Sequence, residues 1–285
     1  MNMKDEIFYK KNGYLIKKNL ISKNDVLEIN KKIKYLIKKD NSLSNKHKKF
    51  EYKKINGISH IVRLKNPVAQ DKIFFNLSRN KKIISVVSKL LRGTIRFHHS
   101  KLNFKLPTSQ GGTVHWHQDW SFYPHTNDDL LAVGIYLEDC DEINGPLKIL
   151  PGTHKKKLYD HHHEGSFVGM INLKKENINL RKSVSLTGKA GTVTFHHVRT
   201  LHGSGLNLTT NKRPLLLFNY SAVDAWPLTY DKGSSEDPNS NLNNYNKLII
   251  RGSPTLFPRI KKIPIKIPLP RKSDSLYDLQ KIKKI

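Results

Sequence analysis

Two short stretches of this chain carry side chains able to hold a metal ion. The first is Val114-His115-Trp116-His117-Gln118-Asp119-Trp120. In an extended strand residues i and i+2 share a face, so His117 and Asp119 can direct an imidazole nitrogen and a carboxylate oxygen at one point. The second is His196-His197-Val198-Arg199-Thr200-Leu201-His202-Gly203-Ser204-Gly205, which offers a third donor in His202. Two imidazoles and one carboxylate on one side of an ion form the facial set of non-haem iron(II) oxygenases, which leaves positions open for reactants. Zinc accepts the same donor types, so these three residues alone also fit a zinc hydrolase.

Taken singly, each histidine suits a structural, hydrogen-bonded role just as well in a chain with 14 of them. The residues downstream add a second kind of chemistry. Arg213 leads into the apolar run 215–220, where its planar guanidinium can take a carboxylate through two N–H groups. Ser204, two positions after His202, shares its strand face and can add a hydroxyl to the same carboxylate. Neither has an obvious task in a zinc hydrolase.

With these blocks the chain resembles the phytanoyl-CoA dioxygenase-like (PhyH) family of Fe(II)/2-oxoglutarate-dependent oxygenases, which includes ectoine hydroxylase. The likeness runs from Phe8 and Gly13-Tyr14 to about Trp226-Pro227. It rests on His117-Gln118-Asp119, on Asn144-Gly145-Pro146-Leu147 leading into Leu150-Pro151-Gly152-Thr153-His154, and on Leu201-His202-Gly203-Ser204-Gly205 followed by Asn207 and Arg213. The resemblance implies a mainly β fold with flanking helices, a double-stranded β-helix (jelly roll, cupin-like). It implies His117, Asp119 and His202 as iron ligands, Arg213 with Ser204 as the binders of the distal carboxylate of 2-oxoglutarate, and Asn103 as an assistant in that binding. The implied cofactors are Fe(II), 2-oxoglutarate as co-substrate and O2. The implied reaction hydroxylates an aliphatic C–H bond of a small metabolite, with release of succinate and CO2. An Asp at 119 keeps a carboxylate where halogenating relatives have a small residue, so hydroxylation is expected over halogenation; desaturation and cyclisation stay open.

The elements that must position these residues follow from patterning. Ser22 and Asp25 stand in capping-box spacing ahead of Val26, Ile29, Ile33 and Leu36, which predicts an amphipathic helix to about Lys39. The basic stretch 40–54 reads as a loop. Ile83, Ile84, Val87, Leu90 and Leu91 predict a second helix, stopped at Gly93. After Gly93 the short apolar or alternating runs 94–97, 101–104, 131–137, 147–150, 192–196 and 215–220 read as strands. Gly145 and Gly152 mark the segment 144–154 as a turn, with His154 in a structural role. There is no internal repeat. The expected organisation is one jelly-roll unit over 1–240 and a basic, proline-containing extension over 241–285 that packs on it or wraps it.

Near the motifs, Trp116, Trp120, His99 and Arg199 are the expected substrate contacts, with Phe122, Tyr123 and Trp226 as further wall residues. Arg199 is expected to meet an acidic substrate group, because a charge beside a ligand is hard to bury without an anionic partner. His161, His162 and His163 are consecutive, a poor arrangement for one ion, and read as a solvated loop. The single cysteine, Cys140, excludes an internal disulfide and cysteine-rich metal sites. No apolar run approaches membrane-spanning length and no signal-like apolar region follows the N-terminus, so the cytoplasm is the expected location. The 51 Lys and Arg against 23 Asp and Glu give a formal charge of +28. That charge keeps a basic nucleic-acid-binding protein in play as an alternative, beside a non-catalytic jelly-roll binding protein. The lysines are dispersed without interleaved aromatics, so a small-molecule substrate is expected rather than a specific nucleic acid.

Overall fold

The computed structural model describes residues 1–40, 49–107, 112–229, 237–239, 241–273 and 276–280. Helix α1 (Met3–Asn12) is closed at its start by a reciprocal Asn2–Asp5 capping box and ends at Gly13, whose φ of 80° few other residues adopt. Strand β1 (Tyr14–Lys17) follows. Helix α2 (Lys23–Lys38) begins as the capping pattern predicts: the Asp25 amide donates to Ser22 Oγ at 3.1 Å, and Val26, Ile29 and Ile33 are buried.

The stretch expected as a loop departs from expectation. Its described end forms β2 (Phe50–Ile55), a hairpin partner of β3 (Ile58–Lys65), while residues 41–48 lie outside the described residues. Phe50 is fully buried, but three charged residues in a six-residue strand hide the alternation from a reading of composition. Short helices α3 (Pro67–Gln70) and α4 (Lys72–Ser78) lead to α5 (Lys81–Leu90), capped by the Asn80 side chain. The runs at 94–97 and 101–104 are one strand, β4 (Ile95–Lys105), because His98-His99-Ser100 continue the extended backbone between them.

The remaining strands are β5 (Val114–His117), β6 (Leu130–Tyr136), β7 (Leu147–Ile149), β8 (His162–His163), β9 (Ser166–Phe167), β10 (Val184–Leu186), β11 (Val193–His197), β12 (His202–Ser204) and β13 (Arg213–Ser221). They form two antiparallel sheets beside the small β8–β9 hairpin: a large one in the order β1-β11-β6-β13-β4-β3-β2, and a four-stranded one in the order β10-β7-β12-β5. This is the mainly β jelly roll with flanking helices.

Period-two alternation divides the large sheet sharply. On one face Leu102, Val133, Ile135, Phe195, Leu216 and Phe218 pack with Ile29, Ile33, Phe74, Ile83 and Val87 of the helices into one core. On the other, the intervening residues Lys101, Asn103, Lys105, Ala132, His196, Arg213, Leu215 and Leu217 line a cavity. The C-terminal region does more than lie on the outside: after α6 (Leu242–Asn246), β14 (Ile249–Arg251) pairs with β4. Arg259 then reaches Asp224 and Asp129, and a last helix, α7 (Leu276–Leu279), ends the described chain. Among the described residues no helix is long and apolar enough to cross a membrane.

Candidate metal centre and substrate cavity

His117 and His202 stand directly opposite each other where β5 pairs with β12, so the small sheet itself brings the two imidazoles together, ring centroids 4.2 Å apart. Asp119 is reached differently from the expectation. It does not continue β5 but opens a short 3-10 turn, Asp119–Ser121. That turn is pinned by the residue between the two donors. The Gln118 amide donates to His161 Nε2 at 2.9 Å, its side-chain amide donates to the Arg199 carbonyl at 2.8 Å, and its side-chain oxygen accepts from the Tyr159 amide at 3.0 Å.

The result is a cluster of three donors whose ligand atoms all lie within 4.8 Å of one another. Asp119 Oδ1 is 3.8 Å from Nε2 of both histidines. The tautomers follow from hydrogen bonding: His117 Nδ1 meets the His115 carbonyl at 2.7 Å and His202 Nδ1 meets the Thr200 carbonyl at 2.8 Å. A carbonyl only accepts, so each Nδ1 bears the proton and each Nε2 offers its lone pair. Burial pushes His202 down to about 4 and His117 well below its ordinary value, which keeps both neutral. Burial raises the Asp119 carboxyl, but His202, His196, Lys101 and His117 outweigh it and hold Asp119 ionised. Two neutral imidazoles and a carboxylate are the donor set that iron(II) takes.

The cavity beside this cluster, about 70 Å³, is lined by Arg213, Ser204, Asn103 and Lys105 as well as by the three donors. Arg213 is held from behind: Nε donates to the Asn144 carbonyl at 3.2 Å and Nη2 to the Gly145 carbonyl at 2.9 Å. Its Nη1 is buried with no hydrogen-bond partner. A buried guanidinium N–H left open in a cavity is the fit expected for a carboxylate that arrives with the co-substrate. The turn read as structural therefore orients a site residue. Gly145 is required there, because a Cβ at its φ of 73° would stand 2.9 Å from the Leu206 carbonyl oxygen and from Lys105 Cε.

Lys105, cross-strand from Arg213, donates to Ser204 Oγ at 2.7 Å. Burial and the neighbouring Arg213 bring its ammonium down to about 7. Asn103 accepts from Arg63 Nε at 2.9 Å. Lys105, Lys101 and His196 were not singled out from sequence. Each sits on the polar phase of an alternating strand, a pattern that ordinarily marks a solvated face. His196 Nε2 lies 3.5 Å from Asp119 Oδ2.

A second cavity of about 260 Å³ opens on His117 and Asp119. Its wall holds Arg63, Lys65, Lys101 and Arg271, together with His99, Ser100, Phe122, Tyr123 and Leu276. Among the expected substrate contacts, His99 is thus beside the metal cluster, and Phe122 and Tyr123 with it. The others are elsewhere. Arg199 pairs with Asp128 at 2.8 Å and donates to the Lys156 carbonyl, lining a different cavity with Asp129, His154 and Lys261, so its anionic partner is internal. Trp120 is fully buried among Leu130, Val198, Ala222 and Ala225, and Trp116 packs on Leu150, Ile171 and Leu201. Trp226 packs against Tyr245, with ring centroids 5.5 Å apart and planes tilted by 50°. The histidine run is not simply solvated: His161 is buried and holds the Asp119 turn, whereas His162 and His163 are half-buried.

Comparison with known proteins agrees with this construction. The model of the phytanoyl-CoA dioxygenase (PhyH) family matches residues 9–215. A probable alpha-ketoglutarate-dependent hypophosphite dioxygenase of Stutzerimonas stutzeri is 38% identical over 268 residues, covering 92% of this chain and 90% of the relative. An ectoine dioxygenase of S. stutzeri strain A1501 is 26% identical over 239 residues, 76% of this chain and 75% of the relative. Among solved structures, EctD from S. alaskensis with bound iron superposes with a TM-score of 0.67 at 22% identity, covering 78% of this chain and 77% of that one. The carbocyclase SnoK of nogalamycin biosynthesis superposes at 0.68 and 20%, covering 84% and 90%. Fold and site define an Fe(II)- and 2-oxoglutarate-dependent dioxygenase that uses O2. The chain belongs to the phytanoyl-CoA dioxygenase (PhyH) family.

Proposed function

We propose that this dioxygenase oxidises a small oxyanion bearing a P–H bond, with hypophosphite as the first candidate. The observation that carries the reading is the second cavity, whose wall of Arg63, Lys65, Lys101 and Arg271 adjoins His117 and Asp119. Four basic side chains around a space of about 260 Å³, with Arg63 already paired to Glu51 at 3.2 Å, against the one carboxylate of Asp119 favour a compact anion over an extended aliphatic metabolite. The hypophosphite dioxygenase relative points the same way. The aliphatic C–H bond implied by family resemblance gives way to P–H on this ground.

In this reading His117, Asp119 and His202 hold iron(II), and Arg213, Lys105 and Ser204 hold the distal carboxylate of 2-oxoglutarate. Ser204 Oγ accepts from Lys105, which leaves its own hydroxyl proton to donate. Asn103 completes the wall between Arg63 and the co-substrate. Iron(II) held by His117, Asp119 and His202 would supply the coupling of oxidative decarboxylation of 2-oxoglutarate to substrate oxidation, in which one oxygen atom of O2 would enter succinate, CO2 would be released and the other oxygen atom would convert P–H to P–OH. Lys101 borders both cavities, so its ammonium attracts the anion to the side of the cluster where it must react. Phe122 and Tyr123 restrict water there.

The cytoplasm is the compartment proposed, in keeping with a lone buried cysteine. One unit, with the described residues from 241 onward packed on it, is the organisation proposed. A cavity of about 260 Å³ beside the metal cluster supports a small-molecule partner over a nucleic acid; a nucleic-acid role would show as a steep loss of binding with salt. The test is incubation of the iron-loaded chain with hypophosphite, 2-oxoglutarate and O2, followed by phosphorus NMR and succinate assay. Phosphite and succinate in equal amounts are expected. Succinate without any oxidised phosphorus species overturns the substrate and leaves the class of enzyme standing.

A further inference from the structure

Beside the three metal donors stands another imidazole that has no task so far. His196 is 2% exposed, and neither of its ring nitrogens has a hydrogen-bond partner among the described residues. A buried polar group without a partner costs free energy, so its place next to a reactive site needs a reason. We infer that His196 is a positioning residue: its Nε2–H takes Asp119 Oδ2 and so leaves Oδ1 as the single oxygen offered to the metal. This rests on His117, Asp119 and His202 being the ligands, as read under Proposed function, and not on the identity of the substrate.

The strands put the ring there. His196 lies on the cavity-facing phase of β11, directly across from Ala132 of β6, and both line the cavity beside the donors. The methyl group of Ala132 leaves room for an imidazole next to it. The His196 ring sits against that of His202, centroids 4.6 Å apart and planes tilted by 52°. The two oxygens of Asp119 then face different groups. Oδ1 is 3.8 Å from Nε2 of both His117 and His202, whereas Oδ2 is 3.5 Å from Nε2 of His196. A closing movement of about 0.5 Å brings that contact to ordinary hydrogen-bond length. The Tyr123 hydroxyl also faces Asp119, but it donates to Asn219 Oδ1 at 3.2 Å. His196 has no such competing partner among the described residues.

Gln118 and His161 hold the backbone of the Asp119 turn, which fixes where the carboxylate stands but not how it is rotated. The last torsion of an aspartate is broad, so a carboxylate held only by its backbone can offer one oxygen or both. One-oxygen ligation beside two imidazoles keeps the open positions of a facial set, whereas a second oxygen would occupy one of them. A donor on the outer oxygen orders the ligand in the same way that a carbonyl behind Nδ1 orders each histidine.

The experiment titrates cobalt(II) into the full chain without oxygen, read by its visible absorption, for the wild type, His196→Phe and His196→Gln. Phe keeps a flat ring and removes the donor; Gln returns an N–H at similar reach. Cobalt affinity is expected to fall about tenfold to a hundredfold in His196→Phe and to recover most of that loss in His196→Gln. Unchanged or tighter binding in His196→Phe, or no recovery in His196→Gln, overturns the inference. His202→Ala separates the two readings: wild-type affinity there removes the ligand set itself, while a large loss there with none in His196→Phe overturns the role of His196 alone. The wild type decides even where a variant fails to fold. In its zinc-loaded form, long-range proton–nitrogen NMR spectra should show His196 protonated at Nε2. A proton on Nδ1 alone, or an Nε2 that carries the zinc, overturns the inference.

Discussion

The two faces of the large sheet are made by the same strands and obey different physics. Lys101-Leu102-Asn103-Phe104-Lys105 alternates strictly, and so does Thr194-Phe195-His196. Leu102, Phe104 and Phe195 enter a close-packed core against the helices, where the free energy comes from apolar burial. Lys101, Asn103, Lys105 and His196 enter a narrow cavity, where burial costs free energy until a metal or an anion arrives. One face stabilises the fold and the other spends some of that stability on binding, as functional sites commonly do.

The largest contrast is expected from Phe218→Ala on the core face. It should lower unfolding free energy by about 3–5 kcal/mol, read by denaturant melts, because a fully buried ring leaves a cavity. Affinity for 2-oxoglutarate in the folded fraction should hardly change. Arg213→Ala on the cavity face should do the reverse, costing about 2–5 kcal/mol in 2-oxoglutarate binding, read by anaerobic titration of the iron-loaded chain. A normal co-substrate affinity in that variant would remove Arg213 from the site.

Lys105 sharpens the comparison through pH. Burial, with Arg213 beside it, lowers its folded-state pKa to about 7, and a bound carboxylate would raise it again. Binding of 2-oxoglutarate should therefore be constant below about pH 7 and weaken as pH rises above it, by at most about tenfold, or 1.4 kcal/mol, per unit. The same depression makes Lys105 a stability cost that is fully present below pH 7 and relieved as pH climbs toward the unfolded value. Lys105→Met should abolish the pH dependence of binding; a slope that survives in that variant assigns it to another group. The smallest effect is expected from Lys101→Met. It should raise stability by up to about 1 kcal/mol, since burial opposes the ammonium there, while the KM for hypophosphite rises. A destabilised Lys101→Met would show that this lysine contributes to the fold.

Much of the architecture was legible because local rules and burial agreed. Ser22 with Asp25 and the spacing of Val26, Ile29 and Ile33 marked α2, and Leu215 to Tyr220 marked the centre of β13. The pair β2 and β3 was hidden, since Lys53, Lys54 and Glu51 dilute an alternation whose buried members are few. In the site, His117, Asp119, His202, Ser204 and Arg213 share one neighbourhood as their spacing and family resemblance suggested. Arg199 was misplaced for an understandable reason. Three positions from His202 reads as adjacent, but the chain turns at Val198-Arg199, and the guanidinium leaves on the far side toward Asp128.

The sequence by itself determined the donor types, the alternation of each strand and the helix starts, because these depend on side-chain chemistry and on the local period of the backbone. Only the tertiary structure decided which polar face looks into the cavity, that Trp120 is core, and that Arg271 comes back to the metal cluster from outside the family's matched segment. Charge on a strand is equally compatible with water and with an enclosed anion site, and that choice is made by what the opposing sheet and the returning chain cover.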